Sequence, residues 1–495
     1  MMMRSKKMGL VPVLALAVAA GACNDGWTDL TELNENPNAP TEVRPELVFT
    51  EGLQQAANAL LGNALNMDYG EHLVQHFAEI AYPEEDVYQY RSTEINAIFR
   101  GAYASYLKEF QEVIDIGEER GDPNLMAAGM IMKSWVFQHL TDIWGDLPYS
   151  EALKGDAEEP ILAPKYDTQQ EIYNGLLADL KAAAEMIDPD EDPFGGQDLI
   201  YKGDMAAWRK FANSLRLRVA MRIVDRDPDL ARAEVEAALA APGGVFESND
   251  DNALICYGTV TRNPWYTYFQ SRGNDYRVSK TLVDTLTSYS DPRLPIYAAP
   301  IASDPTRSTY AGMPNGMRDG HGIRPADTSR PGSYFLSQTA CLALMTYSEV
   351  LFFLAEAEQR WGDPAQAATL YEDAIRASME RWGIDDATIN AYLAQPRVQY
   401  NPATWKEQIG LQKWIALYSQ GLEAFAEVRR LDQPELKPGP GAVLDHIPLR
   451  YPYPFSEDQF NSANLRAAMQ RQGITGDLTS QHATPVWWDV NTPTP

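Results

Sequence analysis

Three times in this chain an aspartate and a proline interrupt a helix-like apolar pattern and restart it. The joints read GDPNLMAAGM from Gly121, RDPDLARAEV from Arg226 and GDPAQAATLY from Gly362. In each, the aspartate suits a helix cap, where its carboxylate accepts from amide hydrogens that the first turn leaves free. The proline suits the first helical position, which needs no amide hydrogen and already has the right φ. A chain punctuated this way folds as helix, tight turn, helix, so the predicted fold class is mainly α. Its 495 residues, 45% of them apolar, can bury a large core. Further helices are expected over 126–144, 169–187, 205–225 and 405–430.

The third joint is the most informative. In LAEAEQRWGDPAQAATLYEDAI, Leu354 and Ala355 precede the turn, and Ala367, Tyr371 and Ala374 follow at spacings of four and three. Small, large, small on one face lets two helices approach closely while the ring fills the gap. The arrangement resembles a tetratricopeptide repeat. The helical pattern then fails between about 245 and 335. NDDNALICYGTVTRNPWYTYFQSRGNDYR (Asn249 to Arg277) has no helical period and is rich in aromatics, Asn and Gly, and Ala299 to Tyr334 is equally irregular. An irregular stretch of this length, so rich in rings, predicts a functional insertion laid over the helical scaffold. The part after Pro434 is again loop-rich.

The N-terminus carries a different message. Arg4, Lys6 and Lys7 are followed by an apolar run from Gly9 to Ala20, then Ala20, Gly21, Ala22 and Cys23. The run suits the core of an export signal and is too short to span a bilayer, which takes about 20 residues. Small residues directly before a cysteine resemble a bacterial lipoprotein box, in which the thiol is acylated and becomes the new N-terminus. Residues 1–22 are therefore expected to be a signal peptide, 23–45 a tether and lead-in loop, and 46–495 one helical domain. If Cys23 carries lipid, Cys256 and Cys341 remain. They could pair in an oxidising compartment or stay separate as small buried groups.

Charge excludes some partners. Sixty-nine Asp and Glu against 41 Lys and Arg leave a formal net charge of −28. Removing 1–22 takes away three cations, so the mature chain carries −28 − 3 = −31. Nucleic acid and anionic lipid headgroups need a concentrated positive surface and are not expected partners.

Several stretches then look familiar together: LNENPNAPTEV (33–43), LTDIWGDLPYSEAL (140–153), FANSLRLRVAMR (211–222), MTYSEVLFFLAEAE (345–358), LQKWIALYSQGLEAFAEVRR (411–430), IPLRYPYPFSEDQF (447–460) and TPVWWD (484–489). The chain resembles the SusD/RagB family of outer-membrane nutrient-binding lipoproteins, and within it the second SusD-like group, from about residue 27 to 489. The resemblance implies a scaffold of tetratricopeptide-like helix pairs overlaid by irregular loops and small sheet elements. It implies that Cys23 anchors the protein at the outer membrane, facing outward. It also implies that the helical face docks on a TonB-dependent, SusC-like barrel transporter, to which captured oligosaccharide or peptide is delivered. The alternatives are a periplasm-facing helical-repeat scaffold and a lipid-anchored glycoside hydrolase.

Enzyme signatures are absent. There is no phosphate-cradling Gly-rich loop with Lys and no G-x-S-x-G elbow. His72 and His76 in EHLVQHF share a helix face at zinc-ligand spacing, but Glu71 precedes the first histidine, so the zincin order is not met. No catalysis, metal or cofactor is expected. The ligand-binding candidates are aromatic, because a neutral sugar offers apolar C–H faces to flat rings and hydroxyls to a few polar groups. NPWYTYF supplies Trp265, Tyr266 and Tyr268, and AYPEEDVYQYR supplies Tyr82, Tyr88, Tyr90 and Arg91. In an extended segment Tyr88 and Tyr90 would point the same way. Trp405, Trp414 and Tyr418 are expected in the core, Trp361 and Trp382 to pack at helix ends, and Trp487 and Trp488 to divide between inside and outside.

Overall fold

The computed structural model describes residues 43–157 and 159–490. The signal segment, Cys23 and all but the last residues of the tether lie outside the described residues. Helix α1 (Pro45–Leu60) leads into a π-helix, Asn63–Glu71, and a short strand β1 (Phe77–Glu79). Then come α2 (Ser92–Ala104), α3 (Tyr106–Arg120), α4 (Pro123–Trp144), β2 (Leu147–Pro148), β3 (Tyr166–Asp167), α5 (Gln169–Met186), α6 (Met205–Arg222) and α7 (Pro228–Ala240). From α3 to α7 each helix packs on the next, and α1 lies against α3.

The middle of the chain holds β4 (Ala253–Cys256), α8 (Pro264–Arg272), β5 (Tyr276–Val278), α9 (Lys280–Ser288), α10 (Leu294–Tyr297) and β6 (Cys341–Met345). A second helical group follows: α11 (Tyr347–Trp361), α12 (Pro364–Glu380), α13 (Asp386–Leu393), α14 (Trp405–Ala416) and α15 (Gly421–Leu431). Short helices α16 (Phe455–Phe460), α17 (Ser462–Arg471) and α18 (Leu478–Ala483) close the described chain. The strands form three two-stranded antiparallel ribbons, β1–β5, β2–β3 and β4–β6.

All three joints are built as their sequences dictate. Asp122 accepts from the amides of Asn124 and Leu125 at 3.0 and 3.1 Å, Asp227 from Leu230 at 3.2 Å, and Asp363 from Ala365 at 2.9 Å. Pro123, Pro228 and Pro364 each open the following helix. At the third joint Ala367, Tyr371 and Ala374 are all buried, and Tyr371 and Ala374 share one cluster with Leu351, Phe352 and Ala355 of α11.

The segment expected to be irregular is not wholly so. NPWYTYF is helical. Asn263 caps α8, accepting from the amides of Trp265 and Tyr266 at 2.8 and 3.2 Å, with Pro264 at the first position. This Asn-Pro start is chemically the same device as the three Asp-Pro joints. The helix expected over 405–430 is two, α14 and α15, separated at Leu417–Gln420 where Ser419 takes a left-handed φ of 78°. Cys256 and Cys341 face each other across β4–β6 and are joined by a disulfide, which decides between the two readings left open above. Trp414, Tyr418 and Trp488 are core residues, while Trp405 and Trp487 are half-buried.

Between the two helical groups lies a buried charge network. Arg218 binds Glu349 at 2.6 Å, and Arg222 binds Glu423 at 2.6 Å, Asp142 at 3.3 Å and Glu427. Arg430 binds Glu356 at 2.6 Å and Glu427 at 2.7 Å, and Lys413 reaches Glu427 at 2.8 Å. All these side chains are buried. Burial alone would raise the pKa of Glu427, but Arg430, Lys413 and Arg222 together hold it well below the usual carboxylate range. The network ties α4, α6, α11, α14 and α15 to one another, and so sets how the two helical groups meet.

Candidate functional site

The π-helix is held from behind. Asn66 donates to the carbonyl of Ser419 at 3.1 Å and accepts from the amide of Gly421 at 2.6 Å. Gly70 lies so close to Gly421 that an added Cβ would come within 2.5 Å of its backbone, so a larger residue at either position would push the π-helix off α15. His72 and His76 are engaged in packing contacts of the same segment. His72 Nδ1 donates to the carbonyl of Met67 at 2.6 Å, while His76 meets Glu71 at 2.8 Å and the carbonyl of Trp414 at 3.0 Å. Among the described residues no group of three or more His, Cys, Asp or Glu is placed to hold a metal ion.

In front of the π-helix is a recess of about 180 Å³. Asp68, Tyr69 and Leu73 line one wall, and Glu85, Tyr88, Gln89, Tyr90 and Arg91 a second. Glu94, Ile95, Ala97 and Ile98 of α2 form the third, and Pro448, Tyr451 and His482 close the back. The volume is below the roughly 300–1,000 Å³ of a drug-sized pocket, so it suits one ring of a longer molecule rather than the whole.

The segment 80–91 is a knotted turn rather than an extended strand. Val87 N–H donates to the Pro83 carbonyl at 2.9 Å, and Gln89 N–H to that of Glu84 at 2.8 Å. Asp86 staples the turn to a distant loop, accepting from Asn315 and from the amide of Gly316, both at 2.8 Å. Burial pushes the Asp86 pKa up to about 7 against these hydrogen bonds. Tyr82 and Tyr88 adopt left-handed φ values of 59° and 62°. Bulky residues pay a steric penalty there, and such outliers persist where a site needs a particular side-chain direction. Tyr88 is buried and Tyr90 half-buried, and both line the recess although the segment is a turn and not extended.

The β1–β5 ribbon brings the second aromatic segment to the same place. Tyr276 of β5 donates its hydroxyl to Asp68, and Tyr268 of α8 stacks on Tyr276 with centroids 5.2 Å apart and planes 8° from parallel. Arg272, one turn on, sits 4.6 Å over the ring of Tyr82, which is 59% exposed, and is bridged to Asp275. Tyr88 and Tyr90 line the recess with Asp68, Tyr268 reaches Asp68 through Tyr276, and Tyr82 lies under Arg272 outside the lining. Burial raises the Asp68 pKa to about 7, opposed by the Tyr276 hydrogen bond. Arg91 is shared between Glu85 and Glu94, reaching the latter at 2.7 Å.

Two candidates fall elsewhere. Trp265 is fully buried, donates to the carbonyl of Leu61 at 2.9 Å and packs on Phe77 and Phe335; it is a core residue with no face to offer a ligand. The reason is helical geometry: once 264–272 is a helix, Trp265 and Phe269 point inward together. Tyr266 is half-buried beside it and makes none of the ring contacts that tie Tyr268 to Asp68. Sequence reasoning missed Asp68, Glu85, Glu94, Tyr451 and His482. Asp68 and Glu85 are two of 69 acidic residues, and Tyr451 and His482 arrive from the far end of the chain. A larger hollow of about 460 Å³ near Tyr289, Arg397 and Gln433 holds none of the aromatic candidates. Its buried amide, Gln412, is already engaged by Arg293 at 3.1 Å and Tyr392 at 2.8 Å.

The described residues thus form a scaffold of packed helix pairs with a recess walled in part by aromatic rings. A family model described as "Starch-binding associating with outer membrane" matches residues 37–454, and the chain belongs to this SusD-like family. Among solved structures, a chitin-binding protein is 32% identical, with a TM-score of 0.79 over 90% of this chain and 100% of that one. A chitin-binding SusD homolog from Flavobacterium johnsoniae is 25% identical, with a TM-score of 0.78 over 90% of this chain and 99% of that one. A SusD homolog from Bacteroides uniformis is 25% identical, with a TM-score of 0.75 over 89% and 99%. No curated protein matches the chain.

Proposed function

We propose that this protein is a lipid-anchored, outward-facing outer-membrane receptor that captures oligosaccharide, chitin-type chains foremost, and hands it to a TonB-dependent barrel transporter without cutting it. The observation that carries the ligand reading is the recess at Asp68 walled by Tyr88, Tyr90 and Tyr451, with Tyr268 stacked on Tyr276 next to Asp68. Family membership and the chitin-binding relatives support the ligand class. Among the described residues no helix is long and apolar enough to cross a membrane, so attachment rests on Cys23. Each acyl CH₂ buried contributes about 0.8 kcal/mol, and two or more chains hold a domain of this size stably.

Each part of the reading has its own test. Binding of the purified protein to a glycan and peptide array should single out oligosaccharides built of N-acetylglucosamine; a peptide-only or empty array overturns it. Tyr90→Ala and Tyr268→Ala should each weaken that binding roughly two- to tenfold by calorimetry, the scale of one aromatic contact. Unchanged affinity in both would move the ligand away from this recess. For the anchor, Cys23→Ala should shift the protein from the outer-membrane fraction to the soluble one, and protease shaving of intact cells should digest the wild type. Co-purification of a large β-barrel protein in mild detergent tests the transporter step.

A further inference from the structure

The hollow of about 460 Å³ in the second helical group shares no lining residue with the recess at Asp68. Its volume falls within the roughly 300–1,000 Å³ of a pocket that encloses a small organic guest. Tyr371 of α12 lines it together with Leu411 and Gln412 of α14, Thr404 directly before α14, Tyr289 directly after α9, and Gln433 beyond α15. The walls are held in place. Gln395 donates to the carbonyl of Tyr289 at 3.0 Å, and Arg397 to that of Ser288 at 2.8 Å. Gly410 leaves room for the segment at Gln433, since an added Cβ would come within 2.4 Å of the Gln433 Cβ.

Tyr371 is the observation that points to a guest. It is 1% exposed and its ring packs against Phe352 and Tyr400, so the part left to line the hollow is the hydroxyl end. Within the described residues that hydroxyl makes no hydrogen bond. Its polar neighbours are engaged elsewhere: Tyr392 accepts from Gln412 at 2.8 Å, and Arg293 is bridged to Asp291 at 2.6 Å. Burial raises the Tyr371 pKa, so the proton stays on the oxygen. A buried hydroxyl left unfilled is costly, and a guest in the hollow would complete it. The Thr404 hydroxyl and the Gln433 side-chain amide make no hydrogen bond within the described residues either.

The free groups set the class of guest. A hydroxyl and a carboxamide each donate and accept, so they match a molecule whose own groups do both. The buried lining residues, Tyr371 and Gln412, are uncharged, while the charged ones, Arg397, Glu407 and Glu435, are exposed and of mixed sign. Nothing deep in the hollow therefore favours an ion. Tyr289, Leu411 and Pro434 add apolar surface. A neutral ring that carries hydroxyls at its edge and C–H groups on its faces fits this set. We infer that the hollow is a second saccharide site, separate from the recess at Asp68, and that the Tyr371 hydroxyl and the Gln433 amide hold the sugar. The choice of probe rests on the oligosaccharide reading above; the site itself does not depend on the recess.

The test is calorimetric titration of the detergent-solubilised full-length protein with the N-acetylglucosamine trimer. Two molecules should bind per chain. Tyr371→Phe, which removes only the hydroxyl, and Gln433→Ala should each weaken one of the two sites roughly two- to tenfold, the scale of one hydrogen bond. Tyr90→Ala should weaken the other. Because the Tyr371 hydroxyl has no partner inside the protein, Tyr371→Phe should leave the thermal midpoint of the ligand-free protein no lower than that of the wild type. A lowered midpoint would assign the hydroxyl a structural role and overturn its role in binding. One site per chain, weakened by Tyr90→Ala and untouched by both hollow variants, overturns this inference and leaves the oligosaccharide reading standing. Two sites that both ignore Tyr371→Phe and Gln433→Ala overturn the assignment to the hollow. One site weakened only by the hollow variants supports the inference and removes the recess as the binding place. If no trimer binds, the second site is overturned, and if no array sugar binds, so is the reading that supplied the probe.

Discussion

Arg222→Met is expected to remove about 3–5 kcal/mol of stability, a large share of the roughly 5–15 kcal/mol that holds a typical domain folded. The residue is fully buried at the C-terminal end of α6 and meets three carboxylates: Asp142 at 3.3 Å, Glu423 at 2.6 Å, and Glu427. Methionine keeps much of the volume and removes the charge. Glu427 keeps Arg430 and Lys413, but Asp142 and Glu423 lose their nearest cation while buried, and that penalty exceeds the loss of any contact. Arg232→Met is the control, because its partner Glu236 and the arginine itself are 63% and 53% exposed. That pair should change stability by no more than about 0.5 kcal/mol. Urea unfolding curves for the two variants measure the contrast, and a mild effect of Arg222→Met would mean the network is hydrated and not a structural tie.

Loss of the disulfide comes second in size. Cys256 and Cys341 are 85 residues apart and sit opposite each other in the β4–β6 ribbon. Closing a loop of that length restricts the unfolded chain, and the typical stabilisation is about 2–4 kcal/mol. The double variant C256S/C341S should therefore unfold at a distinctly lower temperature than the oxidised wild type, and reductant should bring the wild type to the same value. A midpoint insensitive to both treatments would show that the thiols are not joined in the folded protein. The bond also agrees with export, since such links persist beyond the reducing cytosol.

The helical scaffold was legible because its signals are local. Asp122, Asp227 and Asp363 each satisfy amides two or three residues away, so the joint is complete within one turn. Ala367, Tyr371 and Ala374 announce a packed face by their spacing alone, and they are buried as that spacing requires. The α8 helix was missed because its Asn-Pro cap stands among aromatics and glycines that hide a helical period, although the cap chemistry is the same. The break between α14 and α15 was missed because YSQG is too short to interrupt an amphipathic pattern that continues beyond it.

The recess was half legible. Tyr88, Tyr90 and Tyr268 stand out as polar aromatics in segments with no helical period; the structure puts the first two in the recess with Asp68 and ties the third to Asp68 through Tyr276. Trp265 stands out equally, yet it is fully buried. Nothing local separates the two cases, because the direction of each ring depends on which helix face or strained turn carries it.

What the sequence by itself determined is the alphabet of capped helices and the net acidity of the chain, and it raised the expectation of an export and anchoring signal at Cys23. These depend on groups within a few bonds of one another or on simple sums. Tertiary structure alone decided which carboxylates meet which arginines, that Cys256 meets Cys341, and that Asp68, Glu85, Tyr276, Tyr451 and His482 converge. Those outcomes rest on contacts between residues up to hundreds of positions apart, and such contacts form only when buried apolar faces have fixed how one helical group lies on the other.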